Sequence, residues 1–380
     1  MKILDRILNK LRVRHVSDQV VFNVNLRPEL ENQKKALVIY LNNQFLTSNE
    51  TNEFHTSVDE STVIVNSLID NGYIVDIVDV FCNADMVFKK IKNINYDLIF
   101  GFGELFDKLS GIKTNHANNV LYCTENYPDF SLSQELERCE NYFHRHGRRV
   151  KLKRSGRFYS RRSFNGASSV ISLADKSNFE KFGVKSKINE IYPTGLYNKK
   201  FSIEKKLQTQ GKNFVWFGSS GVIHKGLDLL VEAFDKLTGD YKLYICGVES
   251  EELDILVYSS KNIVNLGRVN VKSDSFLDIA YSCQYIILPS CSEGFSTSIT
   301  TGMLHGLKPI ITKDIGMNRL SDLAIFLEKK DLSVKGLKNK IELIINEDSP
   351  CKHEEIYNFA QENFNLISYK NRIDKIISSI

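Results

Sequence analysis

The chain has 380 residues, 42% apolar and 11% aromatic, with 50 Lys+Arg against 46 Asp+Glu for a net charge of +4. At roughly 100–200 residues per domain this length suits two cores, and the composition excludes disorder as the main state and any collagen-like or linker-like chain. No apolar run reaches the roughly 18–20 residues of a membrane span, and so mild a basic surplus points to no nucleic acid.

Residues 1–14 come first. Leu4, Ile7, Leu8 and Leu11 recur at helical spacing among Lys2, Arg6, Lys10, Arg12 and Arg14. That is the pattern of a basic amphipathic helix on anionic lipid; a helix docked on the protein's own surface fits the same pattern. Charges interrupt the apolar residues too often for a secretory signal. The seven cysteines (Cys82, Cys123, Cys139, Cys246, Cys283, Cys291, Cys351) are scattered, odd in number and without a CxxC pair. Neither a disulfide framework nor a zinc site is indicated, so a reducing, cytoplasmic setting is expected.

Short β-branched runs then alternate with amphipathic segments. Strands are expected at Ala36–Leu41, Tyr73–Asp79, Asp97–Gly101, Asn119–Cys123 and Ser168–Ser172, and again at Phe214–Phe217, Lys242–Cys246, Ile263–Leu266, Tyr285–Leu288 and Pro309–Thr312. Near-continuous apolar runs of this length suit strands covered on both faces. Leu227, Leu230, Val231, Phe234 and Leu237 share one face of a helix that Gly239 would stop. This β-α-β-α order implies parallel sheets with right-handed crossovers. The polar stretch Thr194–Gly211 separates two α/β halves, and helical patterns at Glu354–Phe364 and Ile367–Ile377 close the chain. Between the halves' motifs, His144–Arg162 holds nine Lys/Arg and no acid. Its field favours an anion such as phosphate or a lipid head group, and a solvated loop is the plain alternative; His144 and His146 read as solvated.

Two segments carry chemistry. In Phe214–Leu230 a strand runs into a turn of small residues and the turn into a helix. Gly218 and Gly221 let backbone approach a ligand, Ser219 and Ser220 add donors, and Lys225 adds a full charge. The GxxxxGK[ST] spacing of a P-loop is absent, since Lys225 precedes its glycine. In Tyr285–Thr312 a strand ends at Pro289. Glu293 and Gly294 then sit at the carboxyl end of the sheet, where open α/β sheets bind ligands. Glu293 beside the N–H groups of Gly294, Phe295 and Ser296 suits a polyhydroxylated ligand carrying phosphate; a helix N-terminal acid is the alternative.

Together these segments resemble the donor half of GT-B glycosyltransferases of the family 4 type (glycosyl transferases group 1). The resemblance rests on GxxxxxHKGxDxLxxAF at Gly218–Phe234 and LPSxxEGFxxxxxxxMxxGxxPIIT at Leu288–Thr312. It implies two Rossmann-like domains facing across a cleft: 1–195 for the acceptor, 196–365 for a nucleotide sugar, and 366–380 returning to the first domain. Lys225 would neutralise the diphosphate and Glu293 contact the transferred sugar, making these the catalytic pair. Gly218, Ser219, Ser220, Gly294, Phe295 and Ser296 would line the donor, with Arg268 and Val269 at the nucleobase and Thr301 at the ribose. Two departures stand out: Ser219 occupies the place of a usual arginine, and Thr301 that of a second glutamate. Arg268 or a residue of His144–Arg162 could replace the lost charge. On the acceptor side the candidates are His55 and Glu125.

The implied function is a retaining transfer of sugar from a nucleotide donor to a glycan or lipid-linked acceptor, in bacterial-type surface polysaccharide assembly. No metal or other cofactor is expected, there being no DxD triplet. An anionic membrane surface is the further expected partner, at the cytoplasmic face, and nucleic acid is not. A non-catalytic partner subunit and a nucleotide-sugar epimerase of the same fold remain the alternatives.

Overall fold

The structure is a computed structural model that describes residues 18–24, 26, 33–46, 56–112, 116–209, 212–248, 250–346 and 352–380. The basic segment 1–14, His55 and Cys351 lie outside the described residues.

Twelve strands among the described residues form two six-stranded sheets. The first contains β1 (Lys35–Tyr40), β2 (Ile74–Asp79), β3 (Leu98–Gly101), β4 (Asn118–Cys123), β5 (Ser169–Ser172) and β6 (Lys187–Glu190), in the order β2-β1-β3-β4-β5-β6. The second contains β7 (Asn213–Phe217), β8 (Leu243–Cys246), β9 (Ile263–Gly267), β10 (Cys283–Leu288), β11 (Lys308–Thr312) and β12 (Ile325–Leu327), in the order β12-β11-β10-β7-β8-β9. All ladders between these strands are parallel. The central strands are buried along nearly their whole length, which is why their sequences read as unbroken apolar runs.

Each of the ten expected strands forms within two residues of its expected bounds. β6 and β12 were not anticipated. Both are edge strands: Lys-Ile-Asn-Glu is only half-buried, and Ile-Phe-Leu is three residues long, so neither gives the signature of a covered strand.

In the second sheet chain order reverses between neighbouring β7 and β10, and their carboxyl ends open a crevice at the topological switch point. The loops after these two strands are the two motif segments. The crevice is covered by the first half's helix Pro128–His146, which Pro128 starts and Gly147, at φ 66°, ends. Arg138 of this helix donates to Pro289 O at 2.8 Å, and Tyr142 Oη donates to Ile255 O at 3.0 Å. The closing helix Leu366–Ile377 packs on the first half's helix Thr56–Asp70, with Tyr369 donating to the Tyr122 hydroxyl at 3.0 Å. Glu60 sits beneath this joint and accepts from the N–H and hydroxyl of Thr194 at 3.0 and 2.9 Å. Burial pushes its carboxyl above the usual range, against the pull of those hydrogen bonds.

Two expectations are corrected. His144–Arg162 is not a free loop: it begins in the last turn of Pro128–His146 and ends in the helix Arg161–Gly166. Arg145 pairs with Asp228 and Glu232, and His146 lies 2.9 Å from the same Glu232, so His146 is a part-buried bridge between halves; His144 is solvated as expected. Second, the Gly218 turn does not open directly into a helix. Residues 219–226 form an irregular turn, and the helix Leu227–Asp235 begins only after Gly226.

Candidate functional site

The site is built where three loops meet. After β7 the irregular turn carries Lys225, whose N–H donates to Gly221 O at 2.8 Å within that turn. Gly226 follows at φ 66°, and a Cβ there would meet Pro289 O at 2.3 Å, so glycine alone lets the two motif loops touch. Cys291 N–H donates to His224 O at 2.8 Å and fixes one loop to the other. The third loop follows β4. A Cβ on Gly294 would lie 2.0 Å from Thr124 O, so the glutamate–glycine corner of the second half sits directly on the first half's Thr124–Glu125.

These contacts bring Lys225 and Glu293 together. Lys225 Nζ lies 3.1 Å from Glu293 Oε1, which also accepts from Ser290 Oγ at 2.7 Å, and both side chains are 9% exposed. Burial works against the ionised Glu293, but Lys225, His224 and Arg154 outweigh it and hold the carboxyl below its ordinary range. Glu125 faces it from the first half, 3.3 Å from Arg154 Nη2. There burial wins over the neighbouring cations, and the Glu125 carboxyl is pushed up. Two carboxyl groups across one cavity are thus driven in opposite directions.

Between them lies a cavity of about 10 Å³, lined by Glu125, Asn126, Arg154, His224, Ser292 and Glu293 among others. That is room for about one water. His224 is the residue that sequence reasoning passed over, although it stands in the quoted motif. Its Nε2 lies 2.7 Å from Ser292 O and its Nδ1 3.6 Å from Glu135 Oε2 of the covering helix. Burial alone would strip its proton; Cys291 and Glu135 beside it reverse this and push its pKa up to about 10. Glu135 in turn accepts from the N–H groups of Lys153, Arg154 and Ser155 at 2.8, 3.2 and 2.7 Å. Glu135 carries no sequence signal, and Arg154 is marked only as one of nine basic residues in His144–Arg162, because their partners come from other segments of the chain.

The remaining expected residues fall into three groups. Gly218, Ser219 and Ser220 lie at the carboxyl end of β7, and Gly218 N–H is held by Cys246 O at 3.0 Å. Among the described residues nothing accepts from the N–H groups of Gly294 and Phe295, whereas Ser296 N–H faces Met317 Sδ at 3.5 Å. The Phe295 ring is turned into an aromatic cluster with Tyr192 and Phe364, beneath the Arg319 guanidinium. Arg268 and Val269 follow β9 and do not line the cavity. Thr301 is buried, and its hydroxyl accepts from Leu196 N–H at 3.1 Å, so it is engaged with the segment joining the halves. Among the described residues no cluster of three His, Cys, Asp or Glu is placed to hold a metal ion, and no helix is long and apolar enough to cross a membrane.

Residues 211–346 match the family model described as glycosyl transferases group 1. An uncharacterized glycosyltransferase of Methanocaldococcus jannaschii is 32% identical over 148 residues, a match spanning 36% of this chain and 39% of that relative. Among solved structures, sucrose-phosphate synthase from Thermosynechococcus elongatus superposes with a TM-score of 0.62 at 11% identity, over 91% of this chain and 98% of the other. Anabaena HepE in complex with UDP and glucose gives 0.58 at 13%, over 92% and 100%. The lipopolysaccharide outer core galactosyltransferase WaaB gives 0.60 at 13%, over 91% and 100%. Residues 211–346 are thus similar to group 1 glycosyl transferases, and the two parallel six-stranded sheets together match the GT-B fold of these glycosyltransferase structures.

Proposed function

We propose that the chain is a retaining glycosyltransferase that moves a sugar from a nucleotide donor to a glycan or lipid-linked acceptor at the cytoplasmic face of a membrane. The observation that carries the reading is the buried Lys225–Glu293 pair beside the Gly294 and Phe295 N–H groups, at the switch point of the second sheet. Anabaena HepE has been captured with UDP-glucose, so uridine nucleotide sugars are the first donors to try. The named role of WaaB in lipopolysaccharide favours a surface-glycan acceptor.

In this mechanism the halves part to admit the donor and close over it. Lys225 Nζ and the Gly294 and Phe295 amides face the diphosphate, and Glu293 accepts hydroxyl protons of the sugar. As the sugar–oxygen bond breaks, negative charge grows on the leaving phosphate; fixed donors in a site closed to water stabilise that charge without reorganising. The acceptor hydroxyl attacks from the same face and passes its proton to the departing phosphate oxygen, so the anomeric configuration is kept. Glu125 lies on the acceptor side. No protein base and no metal is required.

The test is release of nucleoside diphosphate from a panel of nucleotide sugars, with and without lipid-linked and glycan acceptors. The reading expects acceptor-stimulated release, reduced about 10²–10³-fold by Lys225→Ala or Glu293→Gln. Conversion of the donor with no acceptor present would identify an epimerase instead. Binding without turnover of any kind would favour a partner subunit, the reading to which Thr301's engagement with Leu196 lends support.

A further inference from the structure

Three cations and three carboxylates pair one to one around the cavity, and the three pairs are not equal. Lys225–Glu293 is sealed and braced by Ser290. His224–Glu135 is sealed as well, with side-chain exposures of 7% and 2%, and Glu135 is held by three backbone N–H groups. Arg154–Glu125 is the loose one. It rests on one hydrogen bond of 3.3 Å, its partners are 27% and 18% exposed, and burial already presses Glu125 to give up its charge.

Arg154 belongs to the first half but is presented to the phosphate turn of the second. Its Cγ lies 3.0 Å from where a Cβ on Gly221 would stand, so its side chain runs along that glycine. Glu135 fixes its backbone, and through His224 ties that backbone to the residue next to Lys225. A guanidinium so placed offers forked donors to a diphosphate. The turn itself carries Ser219 and Ser220 where a cation would serve an anion better. Arg268, the other basic residue considered from sequence, does not reach this cavity.

We propose that Arg154 is a donor-phosphate ligand contributed by the acceptor half, and that Glu125 holds its place in the closed cleft until the diphosphate displaces it. This rests on the reading of the cleft as a nucleotide-sugar site. Domain closure then completes the anion site, because Lys225 comes from the second half and Arg154 from the first. It also leaves Glu125 uncovered, facing the acceptor, only once donor is bound.

The test is calorimetric titration of the full chain with UDP, GDP and ADP, on wild type, Arg154→Ala, Arg154→Lys, Glu125→Gln, the Glu125→Gln/Arg154→Ala double variant and Lys225→Ala. For the diphosphate that binds, Arg154→Ala should weaken affinity about ten- to hundredfold, the loss of a charge-assisted hydrogen-bonded contact. Arg154→Lys should restore part of it. Glu125→Gln should tighten binding several-fold, and the double variant should bind no better than Arg154→Ala alone. A purely structural role for Arg154 would not produce this opposite effect of its partner. Loss of binding in Lys225→Ala with Arg154→Ala within twofold of wild type overturns the assignment and leaves the donor reading standing; weaker binding in Glu125→Gln overturns the displacement. If wild type binds none of the three, the donor reading falls and takes this assignment with it.

Discussion

Replacing Lys225 with methionine tests the buried pair at the centre of the site without opening a hole there. Met keeps the length and most of the apolar stem of Lys225, so the change isolates the charge. Glu293 would be left with the Ser290 hydroxyl at 2.7 Å and no ammonium at 3.1 Å, inside a site where both side chains are 9% exposed. Stranding one member of a buried pair costs about 3–5 kcal/mol, and each unit of upward pKa shift that lets Glu293 take a proton returns about 1.4 kcal/mol as the pH falls. Lys225→Met should therefore lose about 3 kcal/mol at pH 8 and clearly less at pH 5. Lys225→Met/Glu293→Gln should recover at least half of that, since no charge is left unpaired. The chain has one tryptophan, Trp216, buried in β7 of the same sheet. Its fluorescence in a urea titration reports the unfolding of that sheet, and the midpoint shift times the slope gives the energy. A loss below about 1 kcal/mol at pH 8, or a double variant as destabilised as the sum of the singles, would refute the argument.

Three further outcomes are expected. The His224 pKa of about 10 lies above its unfolded value, so its contribution is complete below about pH 6.5 and is lost as pH rises toward 10. The unfolding free energy from urea titrations should fall between pH 6 and 9 by roughly 3 kcal/mol, and Glu135→Gln should flatten that slope; an unchanged slope would count against the pairing. Gly294→Ala puts a methyl group 2.0 Å from Thr124 O, so the halves must separate or the loop must shift, at a cost of about 1–3 kcal/mol and with a larger radius of gyration in solution scattering; a wild-type radius and midpoint would contradict the close approach. Glu60 has a folded pKa above its unfolded one, so its stabilisation weakens as pH rises. Glu60→Gln should become relatively more stable than wild type from pH 5 to 8, while Glu60→Ala, which strands Thr194, should cost about 1–3 kcal/mol throughout.

The sheets were legible because a parallel strand covered on both faces must be apolar along its length, as β1 to β5, β7, β8, β10 and β11 are; β9 is a partly exposed edge strand that keeps enough apolar residues to be read. β6 and β12 lie at the edges, where half-burial and short length erase that pattern. Lys225 and Glu293 were legible for a different reason: each stands in a loop that follows directly from its own strand, so local spacing places it. The first half's share was not. Arg145 and His146 find Asp228 and Glu232 more than 80 residues away, and a run of basic residues looks alike whether it meets solvent or carboxylates from another domain. Glu135, which organises Lys153 to Ser155 and faces His224, looks in sequence like any acid on a helix. Thr301 illustrates a contact that spacing does not announce: its hydroxyl accepts from Leu196 N–H, a partner 105 residues away.

If this cleft binds a nucleotide sugar through Lys225, nucleotides must stabilise the folded chain through that residue. The most direct measurement is thermal unfolding of wild type and Lys225→Ala against a panel of nucleoside diphosphates and nucleotide sugars. A ligand at 100 times its Kd adds about 2.7 kcal/mol to the folded state, a shift of several degrees for a domain of this size. At least one nucleotide should raise the wild-type midpoint, and the lysine variant, still folded, should lose the effect. A wild-type midpoint indifferent to every nucleotide at millimolar concentration would contradict it.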